Sequence, residues 1–264
     1  MFNSENKWPM PMYDENNQPH FLFIITPPFS GSTALAKILN TSCRTMFIQK
    51  KGEGHRLVPG LCEADRWNPD KEINYNSLKA VWLNAFQKVQ QLTQTIDVVI
   101  EKSPPNLVRI EQIASQFNNY SFIANNRNPY ANCASILYRK YDAENLNTEQ
   151  RINILKVLAE NWLIRSKEIM KLVVKLQIPL LTYEEFCKTP EIVISKLNLP
   201  NGVIETINPN ATVKVKDYKV QKISNQNKRQ IANLSEKEIE SISHILEAHQ
   251  EVLAFFNYKR YPID

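Results

Sequence analysis

The sequence predicts an α/β fold of three layers, a central and mostly parallel sheet with helices on both faces, and three observations carry that expectation. Short apolar runs at Phe21–Ile25, Ile96–Ile100, Tyr120–Ala124 and Ile178–Thr182 have the length and β-branched or aromatic content of strands covered on both sides. Each run is followed by a stretch with helical spacing, and strands alternating with helices imply parallel pairing through right-handed crossovers. At 264 residues, 43% hydrophobic and 22% charged, the chain can bury a sizeable core as one domain.

Residues 1–20 are polar and carry three prolines and Trp8, which reads as a surface-draped arm without the apolar core of a signal peptide. After the first strand, Ala34, Leu35, Ile38 and Leu39 recur at helical spacing, so a helix begins near Gly31 to Thr33 and runs to about residue 41. Three of the five glycines fall in the segment from Lys50 to Gly60, which reads as a long loop over the open end of the sheet. That loop and its continuation offer His55, Arg56, Asp65, Arg66 and Trp67 as candidates for an acceptor pocket.

Ser77 to Thr95 shows an apolar stripe of Leu78, Val81, Trp82, Ala85, Val89 and Leu92, a core-facing helix. The second strand ends in Glu101-Lys102-Ser103-Pro104, with Ser103 expected to cap and Pro104 to open the next helical turn. The third strand ends in Asn126-Arg127-Asn128-Pro129, where Asn128 caps a helix carrying Ser135. Thr148 to Leu176 reads as one long amphipathic helix or two. Beyond the fourth strand, Tyr183-Glu184-Glu185-Phe186 leads to a short helix capped by Thr189-Pro190-Glu191. Asn208 to Lys222 shows no period, and a basic, amide-rich stretch follows through Arg229. Ser235-Glu236-Lys237-Glu238 is a capping box that opens a final helix to about Ala254.

The turn Phe29-Ser30-Gly31-Ser32-Thr33 therefore lies between a buried strand and a helix N-terminus. Such a terminus presents unpaired N–H groups and the positive end of the helix dipole, and three hydroxyls add donors, so it suits a phosphate. It is not a Walker A loop, because no lysine follows Gly31. In open α/β sheets ligands bind at the carboxyl ends of the strands, where Glu101, Lys102 and Arg127 also fall.

A net charge of +5 is mild, and without a long Lys/Arg tract it suits a small anionic ligand better than nucleic acid. The four cysteines are scattered, so neither a disulfide framework nor a metal site is indicated. No run approaches the ~18 apolar residues of a membrane span. A soluble protein of the reducing cytoplasm is the expectation.

Pro28-Phe29-Ser30-Gly31-Ser32-Thr33 resembles the 5′-phosphosulfate loop of sulfotransferases that use 3′-phosphoadenosine 5′-phosphosulfate (PAPS). Arg127-Asn128-Pro129 with Ser135, eight residues after the arginine, resembles the 3′-phosphate motif of the same family. Glu101-Lys102-Ser103 looks like the segment that supplies a catalytic base in its glycan-directed members. Leu181-Thr182-Tyr183-Glu184-Glu185-Phe186 is similar to a mainly structural strand end there. The resemblance spans roughly residues 20–260 in consistent order, and implies the P-loop-like sulfotransferase fold, PAPS as donor, PAP (3′-phosphoadenosine 5′-phosphate) as product and no metal.

On that resemblance, Phe29, Ser30, Gly31, Ser32 and Thr33 hold the 5′ end of the nucleotide. Arg127 and Ser135 hold its 3′-phosphate, with Lys228 and Arg229 from the basic stretch. Glu101 is the expected base and His55 its alternative. Phe29 stands where the family usually has Lys or Arg, and Lys102, ahead of Lys37, is the expected substitute for that charge. The implied acceptor is a small hydroxyl- or amine-bearing metabolite, such as a natural product. Two other readings are a PAP-binding protein that has lost catalysis and a P-loop-type small-molecule kinase, the latter opposed by the missing G-K-[ST] tripeptide.

Overall fold

A computed structural model of the chain describes residues 17–93, 95–215 and 219–261. The arm expected over 1–20 lies, up to residue 16, outside them, and the first strand already begins at His20. Five strands, β1 (His20–Ile25), β2 (Thr45–Phe47), β3 (Val98–Glu101), β4 (Tyr120–Asn126) and β5 (Leu180–Thr182), form one sheet in the order β2-β3-β1-β4-β5, parallel throughout.

The period-2 geometry of β1 divides the core. Phe21, Phe23 and Ile25 face one layer and Leu22 and Ile24 the other. The second layer holds α1 (Ser32–Leu39), with α6 (Tyr183–Lys188) and α7 (Ile192–Ser195) further along the chain. The first holds α2 (Tyr75–Thr93), α3 (Ile110–Ala114), α4 (Pro129–Lys140) and α5 (Thr148–Leu176), joined by α9 (Glu236–Leu246) and α10 (Gln250–Phe255). Trp82 and Phe117 stack at 5.8 Å at its centre. A five-residue helix, α8 (Asn227–Ile231), interrupts the basic stretch.

Local signals explain most boundaries. Asn128 accepts from the Ala131 N–H with Pro129 at the first helical position, as expected, and Ser235 with Glu238 forms its capping box. Thr148 to Leu176 is one helix of 29 residues, begun by a capping box from Asn147 and Gln150. The last helix breaks at Glu247–His249 into a tighter turn before α10. Ser103 does not cap. Its hydroxyl accepts the His55 N–H instead, at 3.2 Å, and the turn Pro104–Arg109 is a 3₁₀ helix. Thr182 and Glu185 form a capping box that opens α6, while α7, expected to be capped by Thr189-Pro190-Glu191, starts with no side-chain cap at Glu191.

The register Phe23↔Glu101, Ile25↔Ala124 and Asn126↔Thr182 brings four strand ends to one edge. The loop after β1, Glu101-Lys102 and Arg127 leave the sheet there side by side.

Candidate active site

The loop after β1 makes two unusual backbone turns. Phe29 has φ 62° and Gly31 φ 84°, both left-handed. A Cβ at Gly31 would sit 2.3 Å from the Tyr183 ring, so glycine is required there by backbone and by space together. Phe29 pays the strain of the left-handed region for its packing against the core. These turns aim the start of α1 into a cleft lined by Phe29, Gly31, Ser32 and Thr33 on one side and by Arg127, Ser135 and Arg139 on the other.

The two sides touch. Arg127 Nη1 donates to the Phe29 carbonyl at 3.2 Å. The same guanidinium bonds Asn227 Oδ1 at 2.9 Å and Gln230 Oε1 at 2.5 Å, both on α8, and lies 4.3 Å from the centre of the Tyr183 ring. The Trp162 indole fixes its backbone by donating to the Arg127 carbonyl at 2.9 Å. Ser135 lies two turns into α4, on the face turned to the cleft.

Not every expected residue faces this cleft. Ser30 is fully buried beneath the loop, where its hydroxyl accepts from Asn132 Nδ2 at 3.2 Å, while the same amide donates to the Pro28 carbonyl at 2.8 Å. Its hydroxyl bonds within the fold, leaving Ser32 and Thr33 as the hydroxyls that this loop presents to the cleft. Arg229 lines an adjoining hollow with Ser135, Tyr138, Arg139 and Asn233. Lys228, on the exposed side of α8, lines neither.

Across the loop after β1, Lys102 is almost fully buried. Its Nζ lies 3.4 Å from Thr33 Oγ1 and 2.9 Å from Glu53 Oε1, and its N–H bonds the Gly52 carbonyl. Lys37 turns away and donates to the Lys214 carbonyl at 2.6 Å. Of the two lysines, Lys102 is the one whose ammonium reaches the loop, at Thr33. Burial alone would raise the Glu53 carboxyl, but Lys102 and Arg56 hold it down at about 2.

Glu101 is 1% exposed, with Oε2 accepting from the Gly54 N–H at 2.8 Å and Oε1 from Asn106 Nδ2 at 3.1 Å. Burial pushes it up to about 7 against hydrogen bonding from Ser103 and the Gly54 N–H and against the nearby lysine. Gly54 is needed for this approach, since a Cβ would meet Oε2 at 2.6 Å. His55 is also buried, its Nδ1 2.9 Å from Ser103 Oγ, and burial pushes it down to about 4. At neutral pH the imidazole is uncharged and Glu101 is poised to take or give a proton.

Sequence reasoning did not single out Arg139, Val213, Val215 and Ile223, which complete the cleft, or the part Tyr183 plays. Arg139 follows Ser135 by one helical turn, a spacing that could have flagged it. The Tyr183 hydroxyl donates to the Ser224 carbonyl and accepts the Gln226 N–H, both at 3.1 Å, which ties the strand end to the segment closing the cleft. Among the described residues no cluster of potential metal ligands occurs, and no helix is long and apolar enough to cross a membrane.

No family model matches the sequence, and no curated protein matches it significantly. Solved structures do match. Sulfotransferase STF9 from Mycobacterium avium superposes with TM-score 0.53 at 13% identity over 91% of this chain and 78% of its own. The sulfotransferase domain of the Synechococcus PCC 7002 olefin synthase gives 0.52 at 16%, over 95% and 100%. A sulfotransferase from Alicyclobacillus acidocaldarius gives 0.50 at 15%, over 92% and 97%. With its five parallel strands and flanking helices, this chain has the sulfotransferase fold.

Proposed function

We propose that this protein is a sulfotransferase that moves the sulfuryl group of PAPS to a hydroxyl or amine of a small metabolite, leaving PAP. One observation carries the reading: the start of α1 and the pair Arg127 and Ser135 line the same cleft, joined by the Arg127 bond to the Phe29 carbonyl. A nucleotide phosphorylated at both ends needs two anion sites in one crevice, and these residues fit it. The N–H groups opening α1 with the Ser32 and Thr33 hydroxyls suit the 5′ end. Arg127, Ser135 and Arg139 suit the 3′-phosphate. Val213, Val215 and Ile223 offer an apolar wall for a base.

In sulfuryl transfer negative charge grows on the bridging oxygen that leaves, so positioned donors do most of the work. Lys102 and Thr33 stand where that charge would be met. Glu101, held near 7 by burial, is the group best matched to take the acceptor proton, with neutral His55 beside Ser103 as the other candidate. A second reading, a binder without catalysis, is favoured by Phe29, which brings no charge to the loop. Mass spectrometry of a metabolite pool incubated with PAPS separates the two. A gain of one SO₃ unit on an acceptor, with PAP appearing in equal amount, is the expected outcome, and PAP binding without any transfer would favour the second.

A further inference from the structure

The loop that carries Arg66 and Trp67 is held from beneath. The buried Arg109 donates to the Arg66 carbonyl at 2.8 Å and to the Asn68 carbonyl at 2.5 Å, so the backbone on both sides of Trp67 is pinned. Arg165 of α5 lies over the Trp67 ring at 4.3 Å. Its helix is fastened beside the same sheet edge, because Trp162 bonds the Arg127 carbonyl and Ser166 accepts from Asn126 Nδ2 at 3.0 Å.

The carboxylates of this region are committed elsewhere. Glu53 bonds Lys102 and Arg56, while Glu63 and Asp65 both bond Lys71. Among the described residues no carboxylate bonds Arg66 or Arg165. Arg66 donates only to the Glu63 carbonyl, at 2.9 Å. Burial, and after it the Arg66 charge, pushes Arg165 down to about 10. Arg109 ends the turn Pro104–Arg109 that directly follows Glu101, Lys102 and Ser103, so the loop it holds lies beside that strand end. Arg165, half-buried and stacked on Trp67 with no carboxylate partner, has donors that an anion held beside Arg66 would satisfy.

We infer that Arg66 and Arg165, braced by Trp67, form an anion-recognition site for the acceptor, so that the acceptor bears a carboxylate, phosphate or sulfate beside its reacting hydroxyl or amine. This rests on the sulfotransferase reading above. The site differs from the donor cleft, which neither arginine lines.

The test uses the full chain saturated with PAP, which fills the donor cleft, titrated with inorganic phosphate and separately with acetate. NMR signals of the Arg165 Nε–H and the Trp67 indole N–H read the site directly. A saturable shift with either anion is expected, stronger with acetate if the acceptor is a carboxylate and with phosphate if it is a phosphate or sulfate ester. Arg165→Gln and Arg66→Gln should each weaken it by about tenfold or more while leaving PAP affinity unchanged. Shifts that stay linear with both anions, or that survive both substitutions, would overturn the inference. Failure of PAP to bind would instead overturn the donor assignment, and the phosphate titration would still judge the arginine pair.

Discussion

The Lys102 ammonium stands 3.4 Å from the Thr33 hydroxyl and 2.9 Å from a Glu53 carboxylate oxygen. A buried cation is thus delivered to the loop after β1 from the neighbouring strand, by a residue 69 positions away in sequence. Glu53 neutralises it in the free protein and keeps it from being an isolated buried charge.

Lys102→Met should cut transfer by roughly 10²-fold or more if, as proposed, Lys102 meets the charge on the leaving oxygen. Phe29→Lys should gain little in the parent, where the charge is already present, but should restore part of the activity lost in Lys102→Met. Single-turnover transfer in the four proteins checks this. Full activity in Lys102→Met would remove Lys102 from the chemistry.

Glu101 gives a prediction with a definite sign. Its carboxyl titrates at about 7 when folded against an ordinary value of 4.5, so between these the folded protein holds more protons than the unfolded chain. Stability from this group therefore falls as pH rises from 4.5 through 7. Glu101→Gln removes that dependence, so its Tm relative to the parent should improve between pH 5 and pH 8. The unpartnered Asn106 Oδ1 lets that amide flip to suit the new donor. Turnover should drop by about 10²-fold with PAP affinity retained if Glu101 is the base. A variant as active as the parent would move the role to His55.

Glu184 is expected to act through others. Its Oε1 accepts from the Asn128 N–H at 3.0 Å and from Asn227 Nδ2 at 2.5 Å, and Oε2 accepts from Tyr258 at 3.0 Å. Asn227 in turn orients Arg127. Glu184→Ala should raise the KM for PAPS several-fold to tenfold with a smaller change in kcat, and Glu184→Gln should recover most of it. Equal loss in both variants would point to a merely structural role.

Gly31→Ala forces a side chain into a left-handed position against the Tyr183 ring. A loss of more than about 1 kcal/mol is expected in chemical denaturation, and nucleotide affinity should fall with it. An unchanged Cm and affinity would show that the loop can take another shape.

Much of this was legible in the chain. Apolar runs and the caps after them are local signals, so the strand ends carrying Lys102 and Arg127 were placed from spacing alone. What escaped depends on contacts between distant segments. Ser30 looked like its two neighbouring hydroxyls until Asn132, 102 positions on, drew it under the loop. The wall of Val213, Val215 and Ile223 is built by a single antiparallel bridge, Val213 to Gln221, with no periodic signal to announce it. Lys228 shares the basic character of Arg229, yet the helical turn of α8 sends the two in different directions.

The shared cleft between the start of α1 and Arg127 is tested most directly by calorimetric titration with PAP, AMP and ATP with Mg²⁺, in the parent and in Arg127→Ala. PAP should bind the parent at least about tenfold more tightly than AMP, and Arg127→Ala, titrated at a temperature where it remains folded, should erase that preference. Equal affinity for PAP and AMP, or a PAP preference that survives the loss of Arg127, would contradict the assignment.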